Sequence, residues 1–284
     1  MGLLQDKVSV ITGAGNGIGR SHALYFAKEG AKVVVNDLGG TRDGVGNSNS
    51  AADQVVAEIK AAGGQAVANY DNVATLEGGR KIVETAQKTW GHIDVLVNNA
   101  GILRDKSLLK MEEAQWDAVI AVHLKGTFNC TQAAAAAMKE AGHGGRIINT
   151  SSYSGLEGNF GQSNYGAAKA GIYGFTRVCS LELLKAGITV NCIAPVAKTR
   201  LTEDLPMFAG VTEEALGPQY ISPVVAFLAS DLAADITGKV LAIQGNWVYE
   251  YRMMKTAGAR KDSGQWTPTE LRERWNEITA NNWQ

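Results

Sequence analysis

The sequence predicts an α/β fold: a single doubly wound parallel sheet of about seven strands with helices on both faces, and a helical C-terminal extension. Three observations predict it. Short apolar runs alternate with helical stretches from the N-terminus onward. Those runs are continuously apolar, as strands buried on both faces require. A glycine-rich turn joins the first run directly to a helix.

The elements follow in order. Val8–Thr12 is a β-branched strand, and Gly17–Gly30 reads as a helix stopped by glycine. Lys32–Asp37 is a second strand. Ala51–Ala62 is a helix ended by Gly63-Gly64, Ala66–Tyr70 a strand, Leu76–Trp90 a helix and Ile93–Val97 a strand. Glu112–Lys139 contains a long helix with an alanine run. Arg146–Thr150 is a strand, Ser163–Lys185 a long helix and Ile188–Ile193 a strand. Ser222–Ser230 is a short helix and Val240–Gln244 the last strand. Residues 38–49 form a long glycine-rich polar loop, read as a mobile surface insertion in preference to a lip over a ligand. Residues 1–246 form the sheet-bearing domain and 247–284 an extension packed on the core or on a neighbouring subunit. Within it, Thr267-Pro268-Thr269-Glu270 has helix-start chemistry with a capping box. Leu271, Trp275 and Ile278 then make one apolar stripe that needs a partner.

Composition narrows the function classes. Of 284 residues, 45% are hydrophobic and 19% charged, with a net charge of −1; no basic field is present to hold nucleic acid or an anionic membrane. No apolar run reaches the ~18 residues of a membrane span, and the N-terminus lacks the order of a signal peptide. Cys130, Cys179 and Cys192 are widely spaced and read as small buried residues, without metal-ligand spacing among them or the four histidines. A cytoplasmic protein without a metal site is expected.

Two ends of the chain carry chemistry. Strand one feeds Thr12-Gly13-Ala14-Gly15-Asn16-Gly17-Ile18-Gly19. Gly13 permits the tight turn, and Gly17 and Gly19 let backbone approach a pyrophosphate at the helix N-terminus. Asp37 follows Gly19 by 18 residues, where a carboxylate can hold the adenosine ribose hydroxyls and repel a 2′-phosphate; this favours NAD over NADP. Tyr165 and Lys169 share one helix face at i, i+4. Alcohol oxidation needs a base; a lysine ammonium beside tyrosine favours the phenolate, and oxidised nicotinamide adds a second positive charge. Ser151 or Ser152, at the carboxyl end of a strand, can hold the substrate oxygen.

Together these residues resemble the short-chain dehydrogenase/reductase family, with its Rossmann-type sheet. The family motifs stand here as Thr12-Gly13-x-x-x-Gly17-x-Gly19, Asn98-Asn99-Ala100-Gly101 and Tyr165-x-x-x-Lys169. The family's serine, thirteen residues before the tyrosine, selects Ser152. The segments 33–40, 68–71, 98–105 and 158–162, with the tail from Trp266 to Trp275, resemble the (3R)-hydroxyacyl-CoA dehydrogenase units of peroxisomal multifunctional enzymes of type 2.

The resemblance implies oxidation of a 3-hydroxyacyl-CoA with NAD by a homo-oligomer. It further implies that Lys169 also holds the nicotinamide ribose, that Asn99, Ala100 and Gly101 line the adenosine side, and that Asn72 and Val73 contact adenine. Pro195, Ala197 and Thr199 then border nicotinamide and its phosphates. Two positions depart from the common pattern. His123 stands where many members carry a proton-relaying asparagine, with either a catalytic or a bridging role. Lys198 replaces a glycine and either meets a CoA phosphate or is solvated. A peroxisomal C-terminal signal of the Ser-Lys-Leu type is not read in the sequence. Alternatives left open are a 17β-hydroxysteroid or other secondary-alcohol dehydrogenase, an NADPH-dependent 3-ketoacyl reductase, and a non-catalytic NAD-binding subunit.

Overall fold

The computed structural model describes residues 2–199, 210 and 212–280. Residues 1–250 form one compact unit and residues 251–284 a second.

The first unit is built on an eight-stranded sheet in the order β3-β2-β1-β4-β5-β6-β7-β8. These strands are β1 (Val8–Thr12), β2 (Lys32–Asn36), β3 (Gln65–Asn69), β4 (Val95–Asn98), β5 (Gly145–Thr150), β6 (Ile188–Val196), β7 (Val240–Gln244) and β8 (Trp247–Glu250). The first seven pair in parallel, with Val8 opposite Lys32 and Ser9 opposite Val95. β8 was not expected. It turns back after Gly245 (φ +57°) and pairs antiparallel with β7, Gln244 opposite Trp247. Residues 247–250 therefore extend the sheet and lie with it, four residues past the boundary expected at 246.

Helices α1 (Gly17–Lys28), α2 (Ser50–Ala61), α3 (Leu76–Trp90), α4 (Glu113–Ile120), α5 (Gly126–Ala141), α6 (Tyr153–Leu156), α7 (Ser163–Glu182), α8 (Glu213–Leu216) and α9 (Ser222–Ala229) complete the unit. Strand periodicity sorts the core: Val33 and Val35 pack with Phe26, Val225 and Ile243 on one face, and Val34 packs with Ile82, Leu96 and Met138 on the other. The three cysteines are free and buried. The long helix expected over 112–139 is interrupted by a π-helical segment, Ala121–Lys125. Such an insertion rotates the side chains that follow by one extra residue and is frequent at functional sites.

In the second unit, α10 (Pro268–Glu273) starts as expected: Thr267 accepts from the Glu270 amide at 3.3 Å and donates its own amide to the Glu270 carboxylate at 2.8 Å. The helix breaks at Arg274 and resumes as α11 (Trp275–Ile278). Of the expected stripe, Leu271 and Trp275 are exposed and Ile278 is half-buried.

Buried polar groups on α1 fix its docking. His22 is fully buried, its Nδ1 2.9 Å from the Ser222 hydroxyl at the start of α9, and burial pushes its pKa down to about 3. The folded protein thus binds fewer protons than the unfolded chain between pH 6.5 and 3, so stability falls as pH drops through that window. Each pH unit costs up to about 1.4 kcal/mol. Urea unfolding between about pH 6.5 and 4.5 is expected to show a steeper loss for the wild type than for His22→Gln; parallel slopes would exclude His22 as the source.

Candidate active site

The strand order reverses direction between β1 and β4, which opens a crevice at their carboxyl ends. Thr12 and Asn99 clasp that crevice. The Thr12 hydroxyl accepts the amides of Asn99 and Ala100, each at 3.1 Å. The Asn99 side chain donates to the carbonyls of Thr12 (2.9 Å) and Gly13 (3.0 Å). The three motif glycines do different work. A Cβ on Gly13 (φ +63°) would lie 2.7 Å from the Ala100 Cα, and one on Gly19 would lie 2.1 Å from the Gly13 carbonyl. Gly19 therefore permits the turn to pack on its own helix. Gly17 (φ +53°) is the open one: a side chain there would project toward Thr199, 3.6 Å away. Asn16 makes no side-chain cap, so the amides of the first turn of α1, at Gly17, Ile18 and Gly19, face the cavity.

Asp37 leaves β2 beside this turn. Its Oδ2 accepts the Gly15 amide at 2.8 Å and its Oδ1 the Gly39 amide at 2.7 Å. Each oxygen retains a lone pair for a further donor. The loop 38–49 is a lip and not the free surface insertion expected. Leu38, Gly40, Thr41, Arg42 and Gly44 line the cavity, Leu103 donates its amide to Arg42 at 3.1 Å, and Arg104 Nε reaches the Asp43 carbonyl at 2.8 Å. Asn72 and Val73 line the same end, where Asn129 holds the Val73 carbonyl at 2.8 Å.

At the other end, Ser152 follows β5 and caps α6, accepting the Ser154 amide at 3.2 Å. Tyr165 and Lys169 rise from the first turns of α7. Lys169 is buried and donates to the Thr150 carbonyl at 2.6 Å, while its Nζ sits 5.5 Å from the centre of the Tyr165 ring. Ser151 turns away and donates to the Lys169 carbonyl at 2.8 Å. Behind these, Asn98, Asn149 and Thr176 form a buried chain of hydrogen bonds, each 2.9 Å, that fixes β4, β5 and α7 relative to one another. His123, in the π-helical segment, is buried edge-on to Tyr165 at 5.1 Å. Its Nε2 lies 3.0 Å from the amide and 2.8 Å from the carbonyl of Ile102. In either tautomer Nε2 serves one of the two, as acceptor from the amide or as donor to the carbonyl.

The expected cofactor-binding and catalytic residues line one cavity of about 330 Å³: Gly13, Asn16, Gly17, Ile18, Gly19 and Asp37, then Asn72, Val73 and Asn99 to Gly101, then Ser152, Tyr165 and Lys169, with Pro195, Ala197 and Thr199. Lys198 does not; it lines a neighbouring cavity with Arg20 and Lys28. Sequence reasoning assigned no role to Asn159 and Gln162, which also line the main cavity. Both lie in the 158–162 segment, so the only signal was the resemblance.

Burial dominates the electrostatics of the site. Burial pushes the Tyr165 phenol up to about 12, the Asp105 carboxylate adds to that, and the hydrogen bond with Ser152 opposes it. Burial also pushes the Lys169 ammonium down to about 8, and its Nζ is engaged with Thr150. Burial holds the His123 imidazole neutral, with a pKa near 3. The ammonium cost applies in full below pH 8 and vanishes above the ordinary lysine value of 10.5. Lys169→Met is therefore expected to raise unfolding free energy by about 1–3 kcal/mol at neutral pH while impairing activity. A destabilised variant in urea unfolding would contradict this.

Comparison with known proteins places the fold. The short chain dehydrogenase family model matches residues 7–207. The chain is 48% identical over 97% of its length to peroxisomal multifunctional enzyme A of Dictyostelium discoideum, and 46% identical over 96% to peroxisomal multifunctional enzyme type 2 of Mus musculus. It spans 60% and 36% of the length of these two relatives. A crystal structure of a short chain dehydrogenase from Mycobacterium avium superposes with a TM-score of 0.87 at 44% identity, covering 100% of this chain and 97% of that one. With its glycine turn, Asn-Asn-Ala-Gly segment and Ser152–Tyr165–Lys169 group on one cavity, the chain belongs to the short-chain dehydrogenases, oxidoreductases that use a nicotinamide cofactor on CH–OH groups.

Proposed function

We propose that the protein oxidises a 3-hydroxyacyl-CoA, of 3R configuration, to the 3-ketoacyl-CoA with NAD. The observation that carries this reading is the meeting of Ser152, Tyr165 and Lys169 with the glycine turn and Asp37 on one cavity. The hydroxyacyl substrate is supported by the likeness to multifunctional enzymes along nearly the whole chain. NAD is supported by the Asp37 carboxylate, which would repel a 2′-phosphate.

The cavity fits such a cofactor. The uncapped amides of α1 and the open position at Gly17 suit a pyrophosphate. Asp37 keeps lone pairs for the ribose hydroxyls, Asn72 and Val73 border adenine, and Pro195, Ala197 and Thr199 border the nicotinamide end. The cofactor, when bound, supplies a hydride acceptor and a positive charge. Ser152 orients the substrate hydroxyl, and Tyr165 receives its proton. Lys169, anchored on Thr150, stands behind the phenol and would hold the nicotinamide ribose. Hydroxyl proton and hydride both leave the substrate, which becomes the ketone.

By the same reading the protein works as a homo-oligomer, since α5 and α7 leave Phe128, Val178 and Leu181 exposed. Its three free cysteines fit the reducing cytoplasm.

The test is NADH formation at about pH 9 with (3R)- and (3S)-hydroxyacyl-CoA esters and 17β-estradiol. Turnover of the 3R esters alone is expected. Turnover of the steroid alone, or of neither with NAD bound, would overturn the substrate assignment. Tyr165→Phe is expected to lower kcat by about 10²–10⁴-fold with NADH affinity retained.

A further inference from the structure

A second cavity, of about 620 Å³, adjoins the first: Gly17 and Thr199 line both. One wall is a single face of α1, on which Arg20, Leu24 and Lys28 recur every fourth residue with Ser21 and Tyr25 beside them. Lys198 and Thr199, just past β6, form the facing wall with Pro218 and Gln219. The Lys198 amide donates to the Leu216 carbonyl at 2.7 Å, which ties this wall to α8.

The described residues lining this cavity include three cations, Arg20, Lys28 and Lys198, and no carboxylate. Arg20 closes the first turn of α1, where the helix dipole disfavours a cation. Its ion pair with Glu58 on α2 engages one nitrogen and leaves further N–H donors on the guanidinium. The Lys28 ammonium makes no hydrogen bond or ion pair among the described residues. Glu29, the next residue, accepts the Leu3 amide at 2.9 Å and does not line the cavity. Like charges around one cavity repel, and an anion placed between them relieves that repulsion. These cations do not line the first cavity, where the amides of Gly17 to Gly19 suit the cofactor pyrophosphate. Lys198 also stands where the resemblance has glycine, so the third cation is a feature of this chain.

We propose that Arg20, Lys28 and Lys198 form a phosphate-binding site beside the cofactor turn. The volume lies within the ~300–1,000 Å³ of small-molecule sites and far exceeds the ~30 Å³ of one water. Leu24, Tyr25 and Pro218 give it an apolar wall that suits the organic part of a phosphate ester. Two sources carry the required group: the nucleotide end of a coenzyme A ester, and free phosphate. The apolar wall favours the first. Only that source rests on the hydroxyacyl reading above; the site itself does not.

The test is calorimetric titration of the NADH-loaded protein with adenosine 3′,5′-bisphosphate and with inorganic phosphate. Saturable binding is expected, tighter for the bisphosphate. Lys28→Gln and Lys198→Gly are each expected to weaken it about 10-fold, the worth of one charged hydrogen bond, and Lys139→Gln on α5 to leave it unchanged. A wild type that binds neither probe overturns the proposal, as does affinity that both cavity variants retain. Weaker NADH binding in those variants with phosphate affinity unchanged assigns the cations to the cofactor and also overturns it. Inorganic phosphate that binds as tightly as the bisphosphate upholds the site and makes free phosphate its ligand. For the coenzyme A source, KM for (3R)-hydroxybutyryl-CoA is expected to lie about 10-fold below that for the ester lacking the 3′-phosphate, a difference that Lys28→Gln removes. Equal KM values in the wild type overturn that source. Bisphosphate binding in a protein that oxidises no hydroxyacyl ester overturns the hydroxyacyl reading and upholds the site.

Discussion

The clasp between Thr12 and Asn99 is the interaction on which the site depends. It ties β1 to β4 at the point where the sheet reverses direction, using one hydroxyl as acceptor for two amides and one side-chain amide as donor to two carbonyls. Those four bonds hold the glycine turn in the shape that aims the first amides of α1 into the crevice. They also explain why Gly13 and Gly19 are glycine: the turn, Ala100 and the Asn99 amide occupy the space that a side chain would need. The anion-binding end is thus a consequence of strand pairing.

The proton-transfer end has a different economy. Lys169 and His123 are buried and Tyr165 and Asp105 half-buried, and each is pushed by burial toward its neutral form. Hydrogen bonds with backbone, from Lys169 to the Thr150 carbonyl and from the Ile102 amide to His123, hold these groups in place. The chain alone therefore leaves Tyr165 a weak acid. Its function as a base depends on positive charge brought close to it, in a cavity where charge is little screened.

Much of this was legible in the sequence. Alternating apolar runs and helices revealed the doubly wound sheet, and short local motifs identified residues that now share one cavity. Local signals succeed because Gly13, Gly17 and Gly19, or Tyr165 and Lys169, are related by turn and helix geometry. What was missed depends on contacts between distant segments. The lip at 38–49 is held by Leu103 and Arg104, and the Gln162 amide by Asp105, 57 residues earlier. No periodicity encodes such pairs. β8 was hidden for a related reason, since Trp247–Glu250 gains strand character only by pairing back on β7. The capping box at Thr267 was legible, while the break at Arg274, which divides the helix it starts, was not. Adjacency of Tyr165 to lysine was visible in the spacing, while the burial that pushes the phenol of the chain alone up to about 12 was not.

The most direct test of this account is ionisation of Tyr165 itself, read as the ultraviolet difference spectrum of the wild type against Tyr165→Phe. For the protein alone, the account predicts no tyrosinate signal from Tyr165 up to about pH 10, and with NAD bound a signal at or below about pH 9. A phenolate already present near neutral pH in the protein alone, or a titration that NAD does not move, would contradict it.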